Sequence, residues 1–378
     1  MKKTIKRIKE NTYFPPKKQD YVIKSSSQYD VSNLIAQAVH SYSSQVTIFK
    51  QNKLVLNMQN KKDNKLIETL SITKSLCALA IMFLIQDKKI DDEHDLVSKY
   101  IKSWNYGKKK DITIKHILTH TSGLDNYWNY DEFMWPNGNY DDYMKGKLST
   151  PNAKQISLVV DKDKQLDEAW RYNDIATQVI PTLVKHITKK DISRYLYRKL
   201  FKPLHIKYRW NHDDSGNSYG PNGLTINSLD LCKIGLLILN DGKYNKKQIL
   251  HKSLIDRMVQ PHIKTSQIKE DKMWKETDMT GYGYMWWRHN DLIISLGYLG
   301  QMLVIDKKNK VVGCRLIESK WDNKHFVKET EKDTLYFNGF KDFVKYLSTP
   351  QKTKRIKSKG VSIKKSKTIK YSRYRPRY

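Results

Sequence analysis

The chain has 378 residues, 39% of them hydrophobic, which allows one large or two medium globular domains. The formal charge of +31 is concentrated at the ends: residues 351–378 carry twelve Lys or Arg and no acid, and residues 1–25 carry eight against two acids, which leaves +13 for the body. The longest apolar run, residues 76–85, is too short to cross a bilayer, and the charged first eighteen residues lack the apolar stretch of a secretory signal. The sequence therefore predicts an intracellular protein without a membrane span.

The basic ends allow two interpretations. In residues 351–378, Lys and Arg alternate with Ser, Thr and Ile and then with three tyrosines, a pattern that favours a polyanion partner such as nucleic acid. A solvated tail without a partner is the alternative, and composition does not decide between them. We divide the chain into a basic arm over 1–30, a folded body over 31–347 and a basic, disordered tail over 348–378.

Cysteine and histidine usage predicts neither a metal nor a cofactor. Cys77, Cys232 and Cys314 all lie in apolar runs without metal-ligand spacing, so they are expected to be small core residues in a reducing compartment. The eleven histidines are scattered without zinc spacing, and the sequence has no glycine-rich phosphate loop.

Apolar periodicity predicts the elements of the first third of the chain. Residues 31–41 have helical spacing, and residues 45–49 and 53–58 alternate as two strands of a hairpin. Residues 76–85 are apolar on every face, which indicates a buried helix. Farther on, a short helix is expected over 114–120, with Thr113 as its N-cap and Gly123 as its stop.

The remaining elements follow in order. After a long polar and aromatic loop over 125–150, we expect helices over 175–187, 191–201 and 227–239, strands over 282–287, 292–296, 301–306 and 311–318, and a final helix over 337–347. Strands at both ends of a helical middle predict an α/β fold of the α+β kind, with one antiparallel sheet formed by both chain ends and flanked by helices. The sheet lobe would comprise 31–95 and 275–347, and the inserted, mostly helical lobe 96–274.

Ser71 and Lys74 form a Ser-x-x-Lys pair at the start of the buried helix. This spacing puts hydroxyl and amine side by side on one helical face. A desolvated lysine has a lowered pKa and can take the serine proton, which makes a nucleophile. Ser266 with Lys269 and Ser362 with Lys365 have the same spacing, but they lie in a polar loop and in the basic tail. An N-cap role for Ser71 is the alternative.

At this point the chain resembles the group of class C β-lactamases, penicillin-binding proteins and serine esterases. The segment Glu68-Thr-Leu-Ser71-Ile-Thr-Lys74-Ser75 is similar to the first motif of that group. Segments 111–124, 223–242 and 281–287 resemble further family segments in the same order, over roughly residues 36–345. The resemblance implies a β-lactamase/transpeptidase-like fold and identifies Ser71 as the nucleophile and Lys74 as its partner.

The second motif of the family, Tyr-x-Asn, is matched by Tyr172-Asn173-Asp174. The resemblance makes Tyr172 a catalytic proton relay and places Asp174 in the substrate-binding slot where the family usually has an amide. A carboxylate only accepts hydrogen bonds and would pair with Lys74. This pattern is closer to the esterase and short-oligomer amidase branch than to true β-lactamases. Helix capping by Asp174 is the alternative.

The third motif, Lys-Thr-Gly or His-x-Gly, is matched by Tyr298-Leu299-Gly300. The resemblance assigns Tyr298 and Gly300 to substrate binding and the backbone N–H groups of Ser71 and Gln301 to an oxyanion hole. Tyr298 replaces the Lys or His of the family motif, a cation that binds the carboxylate of a β-lactam. Efficient penicillin hydrolysis is therefore not expected. His116 and His120 receive structural roles.

Two functions remain open. The first is a serine hydrolase that cleaves an ester, an amide or a β-lactam-like small molecule through an acyl-enzyme on Ser71, with an aromatic loop over 127–135 that either shapes an acyl pocket or packs on the core. The second is a member of the fold with weakened catalysis that binds nucleic acid or another polyanion through its basic ends, including as part of a particle.

Overall fold

The computed structural model describes residues 16–125, 165–167, 170–213, 215–264 and 279–322. The helices in these ranges are α1 (Ser32–His40), α2 (Ile72–Gln86), α3 (Ile114–Leu118), α4 (Asp174–Thr188), α5 (Ile192–Leu196), α6 (Ser228–Leu239) and α7 (Lys252–Val259). The strands are β1 (Tyr21–Ser25), β2 (Gln45–Lys50), β3 (Lys53–Asn60), β4 (Ile67–Glu68), β5 (Tyr208–Trp210), β6 (Leu224–Ile226), β7 (Lys243–Tyr244), β8 (Lys247–Gln248), β9 (Ile263–Lys264), β10 (Gly281–Tyr282), β11 (Trp287–His289), β12 (Leu292–Gly297), β13 (Gln301–Asp306) and β14 (Val311–Leu316).

A large antiparallel sheet dominates the described part of the chain. Its nine strands follow the order β1-β3-β2-β14-β13-β12-β11-β10-β9. Strand β2 pairs with β14, Lys50 opposite Val311, so the two ends of the chain meet in the middle of the sheet. The predicted antiparallel sheet built from both chain ends is therefore confirmed, as is the mixed α/β class. A second, three-stranded sheet has the order β4-β6-β5.

The two faces of the large sheet belong to separate apolar clusters. Along β13, Leu303 and Ile305 join the cluster that contains α2 and α6, whereas Met302 and Val304 join the cluster that contains α1. This alternation is the period-two pattern of a strand covered on both sides. The sheet consequently lies between helical layers.

Helix α2 is the centre of the molecule. Every side chain from Ile72 to Leu84 is buried, as expected for a helix without a polar face. The helix packs against β12 and β13 on one side and against α4 and α7 on the other. The hydroxyl of Ser75 fixes it further by donating to the carbonyl of Met285 at 2.6 Å. The first turn of α2 therefore lies at the junction between the sheet and the helices.

The predicted single strand over 282–287 is wrong. Residues 281–282 and 287–289 are two strands, β10 and β11, paired antiparallel through a tight turn. Met285 in that turn has a φ of 58°, which no strand accommodates. Backbone hydrogen bonds to other segments stabilise the turn: the N–H of Tyr284 donates to Met258 O, and the N–H of Met285 donates to Leu118 O.

The predicted lobe boundaries also need correction. Residues 21–25 of the expected basic arm form strand β1, which pairs with β3 and extends the sheet at its edge. Helix α6, assigned to the helical lobe, packs against β14, β13 and β2, and β9 is itself the last strand of the sheet. Both belong with the sheet because their apolar residues complete its faces.

Most other predicted elements are confirmed within one to three residues at either end. Thr113 caps α3 by accepting from the N–H of His116, but α3 ends at Leu118, and His120 rather than Gly123 is the first residue beyond it with a left-handed φ, 58°. The region predicted over 191–201 is α5 followed by a wider π-helical turn over Tyr197–Phe201. The final helix over 337–347, the tail over 348–378 and all of the loop 125–150 beyond Asp125 lie outside the described residues.

Candidate active site

Ser71 lies at the N-terminal end of α2, directly after a strained residue. Leu70 has a φ of 51°, in the left-handed region that a leucine rarely adopts. The segment is held by β6, since the N–H of Thr69 donates to Leu224 O at 2.9 Å and the N–H of Leu224 donates to the hydroxyl of Thr73 at 3.0 Å. This sharp entry into α2 presents Ser71 at the end of the helix, and its side chain makes no capping hydrogen bond. The alternative N-cap function of that hydroxyl is therefore not realised.

Lys74 lies one turn farther along α2 and points back at Ser71. Its Nζ donates to Ser71 Oγ at 2.9 Å and to the carbonyl of Pro221 at 3.1 Å, and it lies 2.5 Å from Asp174 Oδ1. The Lys74 side chain is only 2% exposed. A buried ammonium needs such partners, and the Asp174 carboxylate supplies the opposite charge.

Asp174 reverses the expected effect of burial on Lys74. Burial alone lowers the pKa of Lys74, but the adjacent Asp174 carboxylate, helped by Tyr172, raises it, and the net direction is upward. The prediction of a lysine with a lowered pKa is therefore wrong for the free protein. The physical reason is that a carboxylate replaces the neutral amide of the related motif, and an opposite charge at this distance favours the cation.

Tyr172 completes the cluster around Ser71. Its hydroxyl is hydrogen-bonded to the side chains of Ser71 and Lys74, and the Nζ of Lys74 lies 4.8 Å from its ring centroid. Burial raises the pKa of Tyr172, although the charge of Lys74 acts in the opposite direction. The ring stacks on Trp287 with centroids 6.0 Å apart. The structure thus brings together Ser71, Lys74, Tyr172 and Asp174, the predicted residues of two motifs that lie about a hundred residues apart.

Asn173 is a positioning residue that sequence reasoning missed. Its side chain caps α4 by accepting from Ala176 N–H at 2.7 Å and donates to Leu124 O at 2.7 Å. Asn173, and not Asp174, is therefore the cap, which removes the alternative capping function of Asp174. The signal was available, since asparagine directly before an apolar helical run is a common N-cap.

The third predicted group, Tyr298, Gly300 and Gln301, forms the tight connection between β12 and β13. Leu299 and Gly300 both have left-handed φ values, 61° and 73°. The Gln301 side chain donates to Glu68 O at 3.0 Å and to Ile317 O at 2.6 Å, which ties this turn to the segment that precedes Ser71. The approach is close, since a Cβ at Gly297 would lie 2.4 Å from Thr69 O.

The predicted oxyanion and substrate-binding roles of this turn stay predictions, and two contacts bear on them. The backbone N–H of Gln301 donates to Tyr298 O, so this N–H is engaged within the turn. The hydroxyl of Tyr298 donates to Asp322 Oδ2 at 2.9 Å. The position of the family cation is thus filled by a phenol that is itself bound to a carboxylate.

His116 and His120 occupy structural positions. The His116 ring accepts from the N–H of Thr113 at 3.0 Å within the capping box of α3. His120 is 2% exposed and lies between aromatic rings, 5.0 Å from Tyr172 and 5.5 Å from Tyr282. Burial, reinforced by the charge of Lys74, lowers the pKa of His120 to about 3.

The described residues contain neither a candidate metal site nor a candidate membrane span. No group of three His, Cys, Asp or Glu side chains in these ranges could hold a metal ion. No helix there combines the length and apolarity needed to span a bilayer. The cysteines Cys77, Cys232 and Cys314 are buried free thiols.

This chain is similar to known proteins in sequence and in structure. Penicillin-binding protein 4* of Bacillus subtilis strain 168 is 24% identical over 146 residues, which cover 38% of this chain and 30% of that protein. A proposed 6-aminohexanoate-dimer hydrolase from Bacillus anthracis superposes with a TM-score of 0.68 at 18% identity, covering 84% of this chain and 83% of the other. EstCE1, a hydrolase with promiscuous acyltransferase activity, gives 0.58 at 16% identity over 81% and 97%. At these identities the likeness to solved structures establishes the fold alone.

The family assignment rests on a sequence match that covers far more of the chain than the match to penicillin-binding protein 4*. The Beta-lactamase family matches residues 31–333, which is most of the chain and includes the segments of Ser71, Tyr172 and Gln301. Members with this fold are serine hydrolases that include esterases, amidases and enzymes like penicillin-binding proteins. The chain belongs to the Beta-lactamase family.

Proposed function

We propose that this protein hydrolyses an ester or a short amide through an acyl-enzyme formed on Ser71. The observation that carries the proposal is the 2.9 Å hydrogen bond between Lys74 Nζ and Ser71 Oγ in a buried cluster that also contains Tyr172. An amine, a phenol and a hydroxyl in mutual hydrogen-bond contact form the arrangement needed to activate a serine. The family assignment supports the same reaction class.

Acylation begins from the neutral amine of Lys74. Ser71 Oγ attacks the carbonyl carbon, its proton passes to Lys74, and the carbonyl electron pair moves to the oxygen. As the intermediate collapses, the bond to the leaving group breaks. The leaving group takes a proton from Tyr172, which receives one from Lys74, so the amine is restored. N–H groups at Ser71 and Gln301 would stabilise the oxyanion, provided that the turn releases the Gln301 N–H from Tyr298 O.

Deacylation uses the same residues in the reverse order. Water attacks the acyl carbon while Tyr172 accepts its proton and passes one to Lys74. The bond between the acyl carbon and Ser71 Oγ then breaks, and Ser71 regains a proton from Lys74. The product is a carboxylic acid, and the three side chains return to their starting states.

The substrate class follows from what lines the turn between β12 and β13. With Tyr298 bound to Asp322 in place of a cation, a substrate carboxylate meets no positive partner from this position. Esters and short amides are therefore preferred to β-lactams. The similar structures named above, one of a proposed 6-aminohexanoate-dimer hydrolase and one of a hydrolase with promiscuous acyltransferase activity, support this choice.

The proposal is tested with a fluorophosphonate probe and a panel of p-nitrophenyl esters, short amides and a chromogenic cephalosporin. We expect the probe to label Ser71, esters to turn over faster than the cephalosporin, and Ser71→Ala to lower kcat/KM at least about a thousandfold. Ser362→Ala is the matched control, because Ser362 has the same spacing to a lysine but lies in the basic tail. Equal labelling of the wild type and Ser71→Ala would exclude Ser71 as the nucleophile.

We also propose a second, separate function, polyanion binding by residues 351–378. It is supported by their twelve Lys or Arg and the absence of any acid. It is compatible with hydrolysis, because the residues around Ser71 lie elsewhere in the sequence.

A further inference from the structure

Asp174 contacts the proton acceptor of the proposed reaction rather than an open surface. It begins α4, and its Oδ1 lies 2.5 Å from Lys74 Nζ, with the two side chains 14% and 2% exposed. We propose that Asp174 is a positioning residue that acts through Lys74: it aims the amine at Ser71 and stabilises its ammonium form. This inference rests on the proposed acyl-enzyme reaction and replaces the substrate-binding role expected for Asp174.

The neighbours of Lys74 Nζ explain how Asp174 orients the amine. The carbonyl of Pro221 and the carboxylate of Asp174 can only accept, so N–H groups of Lys74, and not its lone pair, face both of them. A neutral amine has two N–H groups and one lone pair. Once both N–H groups face these acceptors, the lone pair faces the neighbouring hydroxyls, those of Ser71, with Oγ at 2.9 Å, and Tyr172. Without the carboxylate, one of these two fixed directions is weakened.

Asp174 is also the charged partner that matters most for Lys74. The other titratable groups that act on the pair are Tyr172, Cys77, His120 and Tyr282. Burial raises the pKa of the two tyrosines and of the thiol and lowers that of the histidine, so all four are neutral near pH 7. Among the described residues that act on Lys74, Asp174 is therefore the anion.

Asp174 therefore has two opposing effects on acylation. The carboxylate stabilises the ammonium that forms when Ser71 gives up its proton, which favours acylation once the amine is available. The same carboxylate raises the pKa of Lys74, so the neutral amine becomes abundant only as the pH rises. The rate of acylation should therefore increase with pH through the neutral range.

The first experiment uses the wild-type protein and the fluorophosphonate probe alone. The second-order rate of Ser71 labelling is measured from pH 6 to pH 9. We expect it to increase by about tenfold per pH unit over the lower part of this range, as for one group that must lose a proton. A rate that does not change between pH 6 and pH 8 would overturn the inference. Absence of labelling at every pH would instead count against the proposed function itself.

The second experiment compares Asp174→Asn with Asp174→Glu by pH profiles of kcat/KM on a p-nitrophenyl ester. For Asp174→Asn we expect the ascending limb to move to lower pH by about one unit or more, together with a lower plateau, because the ammonium loses its counter-ion. Asp174→Glu keeps the charge and should keep the limb closer to that of the wild type.

The matched control is Asp256→Asn, which removes an exposed Lys–Asp pair on α7 and should leave the profile unchanged. Circular dichroism and thermal unfolding establish that each variant is folded. A folded Asp174→Asn protein whose ascending limb coincides with that of the wild type would overturn the inference, since a purely structural Asp174 would not move the limb.

Discussion

At the scale of single residues, His120 has the most unfavourable surroundings for a charge. Its ring is enclosed by Trp170, Tyr172 and Tyr282, and neither ring nitrogen has a hydrogen-bond partner in the described part of the chain. A proton on this ring would lack solvation and would lie near the charge of Lys74. The histidine is therefore neutral in the folded protein, and its ring serves as one wall of the aromatic cluster that holds Tyr172.

This environment predicts an acid-dependent loss of stability. The pKa of His120 is about 3 when folded and about 6.5 when unfolded, so between these values the unfolded chain binds a proton that the folded chain excludes. Stability falls as the pH decreases through this window, at about 1.4 kcal/mol per pH unit. In His120→Phe the dependence should be weaker, and the difference in unfolding free energy between the two proteins should change by on the order of 3 kcal/mol from pH 7 to pH 4.

Urea unfolding at a series of pH values measures this difference, and the carboxylates common to both proteins cancel. The Ser362→Ala protein serves as a control that retains His120 and should follow the wild type. Parallel pH profiles for wild type and His120→Phe would show that His120 already accepts a proton in the folded state.

At this scale the side chains of the site can be predicted from the sequence, but their electrostatic state cannot. Ser71, Lys74, Tyr172 and Asp174 were all singled out, because each falls in a motif with fixed spacing. The pairing of Asp174 with Lys74 was expected, and the two lie 2.5 Å apart. The upward direction of the pKa of Lys74 was not expected, because it depends on how close the carboxylate lies, which no spacing rule provides.

At the scale of elements, the turn between β12 and β13 depends on one buried arginine. Arg315, on β14, is fully buried, and its guanidinium donates to the carbonyls of Leu299 and Gly300, to Ser43 Oγ at 2.9 Å and to Ser41 O at 2.8 Å. Leu299 and Gly300 are the two residues with left-handed φ. Arg315 thus links the strained turn that carries Gln301 to the end of α1 and the loop before β2.

Substitution of Arg315 should affect both stability and turnover. Lysine cannot serve all four acceptors, and an unsatisfied buried carbonyl costs about 1–3 kcal/mol, so Arg315→Lys is expected to lose roughly that much stability per lost acceptor. A displaced Gln301 N–H should also lower kcat/KM, without a matching change in KM. Thermal unfolding and ester kinetics test this, with Arg288→Lys on β11 as the control, since Arg288 also binds two carbonyls but lies in a different part of the sheet. Equal stability and activity of the two variants would refute the role of Arg315.

Elements with strong local periodicity were predicted, and those created by tertiary contacts were not. The β2–β3 hairpin and α2 have clear alternation or a long apolar run. Strand β1 is short and gains its order from pairing with β3 and from the Tyr21 hydroxyl, which donates to Ser43 O at 2.9 Å. The break between β10 and β11 is set by backbone bonds to Met258 and Leu118, which lie far away in the chain.

At the scale of the whole molecule, the strongly basic tail and the proposed catalytic residues lie in different parts of the sequence. The Ser71 cluster draws on α2 and α4, both within the body, whereas twelve positive charges lie beyond residue 350. The nine strands that the described residues contribute to the large sheet lie between Tyr21 and Leu316, before the tail. Removal of residues 351–378 is therefore expected to leave ester hydrolysis unchanged.

The same truncation tests polyanion binding. Each phosphate neutralised by a Lys or Arg contributes about −0.9 to the slope of log affinity against log salt concentration for duplex DNA. If the tail makes most of the phosphate contacts, deletion of residues 351–378 should weaken DNA binding and reduce the magnitude of the slope by about 3 or more, measured by fluorescence anisotropy from 50 to 200 mM salt. Ser71→Ala should bind with the wild-type slope, because Ser71 contributes no charge. If the truncated protein keeps the affinity and slope of the full chain, the contacts come from the body or the N-terminal arm, and the tail has no part in holding a polyanion.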